Sequence, residues 1–210
     1  NKRGFFVRLL PNGAFDESFG INGLIEDPIS TPFVRQELFD IQSDGKILTL
    51  YNTGIETLLY RFNGDGSIDE TFAENGKITL PFTNNSSFGS RIKVFGDDSF
   101  IIHSYESEPN GNELVVLKFL LNGEPDLSFG NEGEFRYSIE VSPQFPTDVA
   151  VQEDGKFILY YQNTNNNVIL PTSLIRINTN GTLDEPFGNN GSLAIMRSNE
   201  YPFTGTGIFI

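Results

Sequence analysis

Short apolar runs recur along the chain, four to a period, each bounded by Gly, Asn, Asp or Pro. One set, 47–51, 100–105 and 157–161, is β-branched and aromatic, the composition of strands. A second set covers 58–62, 114–120 and 174–177, and a third covers 37–42, 90–95 and 147–152. A fourth covers 77–82, 134–139 and 192–196. Asp44-Gly45 and Asp154-Gly155 sit between two such runs, a strong hairpin signal because both central turn residues must take positive φ. No window sustains an apolar period of 3.6 residues, so helices are not expected.

The polar positions repeat as well. A basic residue (Arg8, Arg61, Lys118, Arg176) is followed eight positions later by an aspartate (Asp16, Asp69, Asp126, Asp184). Three further on comes a phenylalanine (Phe19, Phe72, Phe129, Phe187), and four beyond it a glycine (Gly23, Gly76, Gly133, Gly191). Another glycine column, Gly13, Gly66, Gly123 and Gly181, precedes each aspartate by three. Successive basic residues lie 53, 57 and 58 positions apart. From the closing glycine to the next Asp-Gly turn is always 22 residues, as from Gly23 to Gly45. All the length variation therefore falls between the second and third strand of each period.

Four short antiparallel strands per period are the mark of propeller blades; a β-helix repeats at a much shorter period and a sandwich need not repeat. The reading is an all-β fold of four-stranded blades, about four repeats, forming part of a larger ring. Its divisions are a half blade (1–27), three blades (28–83, 84–140 and 141–198) and the first strand of a further blade (199–210). The Asp-Gly turns and the long motif should share one face, and the variable connections the other.

The motif "[RK]…NG…D..F…G" followed by an Asp-Gly-Lys hairpin resembles the delta-60 repeat propellers, and the resemblance covers essentially the whole chain. It implies a β-propeller within a larger secreted or cell-surface bacterial protein, often a type IX secretion substrate of a Gram-negative organism, with links to adhesion or gliding. It implies no catalytic activity. Departures from the pattern are Lys118 in place of Arg, Ala73 after Phe72, Pro186 before Phe187, and Asp97-Asp98-Ser99 where a glycine turn is expected.

Composition narrows the function classes. A net charge of −14 argues against nucleic acid, which needs Lys and Arg to displace its counterions, and against anionic membrane surfaces. The absence of cysteine excludes disulfides and thiolate zinc sites. No apolar run reaches membrane-spanning length, so no membrane insertion is expected. His103 is the only histidine, too few for a multi-histidine zinc site, and a strand position favours burial over catalysis.

The repeated aspartates should be scaffold rather than catalyst. Pseudo-symmetry holds them far apart, whereas general acid–base pairs lie within about 10 Å. The expected role is to cap a turn and to pair with the basic residue. Residues 63–74 look like a calcium loop, but Phe72 and Asn63 in first place spoil the ligand register. No cofactor is expected, with calcium as the one alternative. Specific binding is expected on the variable face, in 52–57, 106–113 and 162–172. There Tyr51, Tyr105 and Tyr160 would offer stacking surfaces, with Asn110 and Asn165 beside them, to a protein or glycan partner or to secretion machinery. The first reading is thus a non-enzymatic interaction or display module. The alternative is a polysaccharide-acting propeller enzyme, hydrolase or lyase, using inner-strand carboxylates such as Asp40 and Asp148.

Overall fold

The computed structural model describes residues 5–26, 28–29, 35–82, 90–108, 111–139, 143–165 and 168–195. Every element in it is a strand. β1 (Phe5–Val7) and β2 (Leu24–Glu26) pair into a two-stranded half blade. β3 (Arg35–Ile41), β4 (Ile47–Asn52), β5 (Thr57–Phe62) and β6 (Lys77–Leu80) form the first four-stranded blade. The second comprises β7 (Arg91–Val94), β8 (Phe100–Glu108), β9 (Gly111–Phe119) and β10 (Glu134–Ile139). The third comprises β11 (Pro143–Val151), β12 (Phe157–Asn165), β13 (Val168–Ile177) and β14 (Ser192–Ile195). Each sheet is antiparallel, with strands in sequence order, the up-and-down arrangement of a propeller blade. Among the described residues the sheets do not close into a ring. The strand expected within 199–210 lies outside the described residues.

The core lies between blades rather than within one. Leu48, Leu50, Leu59 and Phe72 of the first blade pack with Ile92, Phe100, Ile102 and Val115 of the second in one cluster. Ile101, Val116 and Phe129 of the second pack with Phe157, Leu159 and Ile175 of the third in another. With the cluster between the half blade and the first blade, the first and second blades are covered on both faces, which is why β4 and β5 are almost wholly buried and read as continuous apolar runs. First strands meet across each junction, β3 against β7 and β7 against β11.

The middle strands run longer than their apolar runs predict. β8 and β9 pair out to Glu108 and Gly111, and β12 and β13 out to Asn165 and Val168. The stretches 106–113 and 162–172, expected as loops, are thus mostly the ends of hairpins. Backbone pairing needs only extended φ and ψ, so polar Asn, Ser and Thr sustain a ladder beyond the buried core. The connection at 53–56 is a compact turn, closed by the Thr53 amide on the Glu56 carbonyl at 3.0 Å.

Candidate functional site

The long motif builds one unit four times. In the first blade the Asp69 backbone amide donates to the Arg61 carbonyl at 3.0 Å, and the Phe72 amide to the Asp69 carbonyl at 3.0 Å. The Asp69 side chain stands between the two arms. Its Oδ1 accepts the Thr71 amide (3.2 Å) and hydroxyl (2.5 Å), while Oδ2 takes Arg61 Nε at 2.8 Å. The guanidinium lies 4.2 Å from the centre of the Phe72 ring. Asp16, Asp126 and Asp184 repeat the pairing with Arg8 (2.7 Å), Lys118 (3.0 Å) and Arg176 (2.6 Å). Burial alone would raise the Asp69 carboxyl; the Thr71 hydroxyl, Lys46 and Arg61 outweigh it and bring it down to about 2. A carboxylate held this far ionised has no proton to give a substrate near neutral pH.

The phenylalanine delivered by the turn fills the gap to the next blade. Phe19, Phe72 and Phe129 are at most 2% exposed, whereas Phe187, with no further described blade against it, is half-buried. The next motif's turn rests on that ring. Gly123 has φ 90°, and a Cβ there would fall 2.6 Å from a Phe72 ring carbon. The glycine after Phe answers to the same chemistry: Gly20, Gly130 and Gly188 have φ near +58°, and Gly130 donates its amide to the Asn180 carbonyl of the next blade at 2.8 Å. A Cβ on Gly130 would lie 2.1 Å from the Glu134 carbonyl oxygen. Ala73 occupies the equivalent place at φ 44°. Ala73→Gly is therefore expected to stabilise the fold by about 1 kcal/mol, and Gly130→Ala to destabilise it by more than that; paired urea melts check both.

The face reading follows from these bonds. Lys46, just past its Asp-Gly turn, reaches Asp69 at 3.2 Å, so turn and motif lie on one face. At the junction of the first two blades Gln42 Nε2 donates to the Asp98 carbonyl at 2.9 Å. Arg61 Nη1 donates to the Leu121 carbonyl (2.5 Å) and Gln42 Oε1 (3.3 Å). Asp98 holds φ 63° where the other two turns have glycine, and its carboxylate accepts the Ser43 amide (2.6 Å) and hydroxyl (2.5 Å). The missing glycine thus carries an inter-blade bond.

The residues expected to bind on the opposite face fare differently. Tyr51 is fully buried in the core beside Leu58 and Phe62, and Tyr160 is only 4% exposed. Neither ring is offered as a stacking surface: both are buried, Tyr51 in the cluster that the first blade shares with the half blade. Tyr105 is half-buried against the second inter-blade cluster, its hydroxyl donating to Asn112 Oδ1 at 2.9 Å. Asn110 lies outside the described residues, as does the side chain of Asn165 at the end of β12.

Asp40 and Asp148 sit on the inner strands β3 and β11. Asp40 Oδ2 accepts the Val94 amide at 2.8 Å and stands 3.5 Å from Lys93 Nζ, fastening β3 to β7. Asp148 Oδ1 accepts the Val149 amide at 2.8 Å. In 63–74 the candidate calcium ligands are already engaged: Asp65 Oδ1 accepts the Ser67 amide and hydroxyl, and Asp69 is held as above. Sequence reasoning missed one cluster. Arg136 on β10 donates to Glu106 and Glu113 (2.9 Å each) and to Glu134, bridging two glutamates that face each other across β8 and β9. Glu106 is nearly buried, and only strand register, not sequence spacing, brings the four together.

Residues 42–72, a short part of the chain, match a family described as a domain of unknown function (DUF5122) beta-propeller. No curated protein matches the chain, and no solved structure does. The matched stretch runs from the first Asp-Gly turn through β4 and β5 to Phe72, the part of the repeat in which turn, cation, aspartate and aromatic ring come together. Fold and match together identify a β-propeller repeat domain.

Proposed function

We propose that the chain is a non-enzymatic interaction or display module of the delta-60 type, part of a secreted or surface protein of a Gram-negative bacterium, holding a protein or glycan partner. The observation that carries this reading is the engagement of the repeated carboxylates. Asp16, Asp69 and Asp126 are each held by their own repeat's cation and by the hydroxyl and amide two residues on. Asp184, with Pro186 at that place, is held by Arg176 and Lys156. The repeat is therefore read as scaffold, and specificity falls to what does not repeat. Type IX export, adhesion and gliding belong to the same reading through the motif's resemblance. On this view the hairpin ends around Tyr105 and the Arg136 cluster present the partner surface, polar and rigid enough for recognition.

The alternative, a propeller acting on polysaccharide, needs a carboxylate pair at the inner strands. Asp40 is occupied by Lys93 and the Val94 amide, which suits a fastening better than an acid–base role. A glycan array and a hydrolase panel run on the same purified protein separate the two. Glycan capture without turnover is the expected result. Release of reducing ends or unsaturated products from any polysaccharide would overturn the module reading.

A further inference from the structure

The junction of the second and third blades is built from the same repeat positions as the first junction, yet among the described residues it lacks the side-chain bridge found there. Phe95 stands where Gln42 does, Gly96 where Ser43 does, Ser99 where Lys46 does, Lys118 where Arg61 does, and Gly155 where Asp98 does. Where the first junction holds the Arg61–Gln42–Ser43 network, this one holds a cavity of about 350 Å³. Its lining includes Phe95, Asp97, Lys118, Gln152, Glu153 and Thr179.

Charge shows what is missing. Asp69 receives two cations, Lys46 and Arg61, and Asp184 receives Lys156 (3.0 Å) and Arg176 (2.6 Å). Among the described residues Asp126 pairs with Lys118 alone, Ser99 standing where the second lysine would be. Lys118 also lacks the nitrogen with which Arg8 and Arg61 reach a carbonyl of the following blade, Gly64 and Leu121 respectively. The junction is thus one cation and one planar donor short, with Asp97 and Glu153 adding negative charge at its walls. Aromatic carbon is at hand: the Phe95 ring lies 5.9 Å from that of Phe157. Gln152 Oε1 is a buried acceptor with no partner.

We propose that this cavity binds a small organic cation of the guanidinium class, either free or as an arginine side chain of a partner. A planar fork of donors can bond carboxylate, amide and carbonyl oxygens while stacking on phenylalanine, which a compact ammonium cannot do as well. This site lies on the motif face and is independent of the partner surface proposed above.

The test is titration calorimetry with ethylguanidinium, with the blocked tripeptide Gly-Arg-Gly, and with ethylammonium, at constant ionic strength. Saturable millimolar binding of ethylguanidinium is expected, at least fivefold tighter than ethylammonium. Tripeptide binding of equal strength would assign the cation to a partner chain, and its absence to a free small molecule. Lys118→Arg, which supplies the guanidinium from the protein itself, should still fold and should weaken binding at least tenfold. No saturation by 50 mM, or unchanged affinity in the folded Lys118→Arg protein, would overturn the proposal.

Discussion

Asp69→Ala is expected to destabilise the protein by about 3–5 kcal/mol, the cost of leaving a buried cation without its partner. Arg61 and Asp69 are among the most enclosed charges in the molecule, with side chains only 6% and 5% exposed. Removing the carboxylate strands the guanidinium against the Phe72 ring and leaves Lys46 without its nearest anion. It also frees the Thr71 amide and hydroxyl, so the turn that inserts Phe72 between blades loses its anchor. Asp16→Ala is the internal control, since the same pair there is 39% and 20% exposed. Water screens it, and a much smaller loss than at Asp69 is expected. Urea midpoints at unchanged m report both values. Equal losses at the two positions would mean that burial is not what makes this pair matter. A folded, equally stable Asp69→Ala protein that had lost a measurable activity would move the aspartate from scaffold to site.

The contrast between those two aspartates shows where sequence is a good guide and where it is not. The four columns are visible as letters, and their regularity marks scaffold. What the columns do not carry is the setting of each copy, because packing between blades depends on both neighbours. Asp16 belongs to a half blade whose Phe5, Phe15 and Ile21 remain exposed, and Asp69 to a junction closed on every side. Tyr51 illustrates the same gap: its strand-end position suggests exposure, but a neighbouring blade covers it. Hairpin length escaped the apolar pattern because 107–108 with 111–112, and 162–165 with their partners on β13, pair through backbone, and 107–108, 112 and 162–165 are polar and give no periodic signal. The substitutions at Phe95, Ser99 and Lys118 are legible one by one. Their shared meaning appears only when the fold brings three distant positions to one junction, on the face first taken for pure scaffold.

His103 carries the other large effect, in the form of acid sensitivity. It sits in β8 opposite Val116 of β9 and Arg91 of β7, wholly buried, and neither ring nitrogen has a hydrogen-bond partner. Burial, with the Arg91 charge adding to it, pushes the imidazole down to about 3. In the unfolded chain it titrates near the ordinary value of about 6.5. Between those two pH values the unfolded state holds a proton that the folded state refuses. This contribution is therefore complete above about pH 6.5 and is lost as pH falls toward 3, by on the order of 5 kcal/mol in total. Asp69 acts in the same direction but only below about pH 4, so the slope between pH 6.5 and 4.5 separates the two. His103→Leu, close in volume, should flatten that slope. It should also raise stability at pH 7 by about 1–2 kcal/mol, because two buried polar atoms without partners are removed. Urea midpoints of both proteins across this pH range decide it. Parallel curves would show that the imidazole finds a proton acceptor or a route to water in solution, and that this acid sensitivity belongs to other groups.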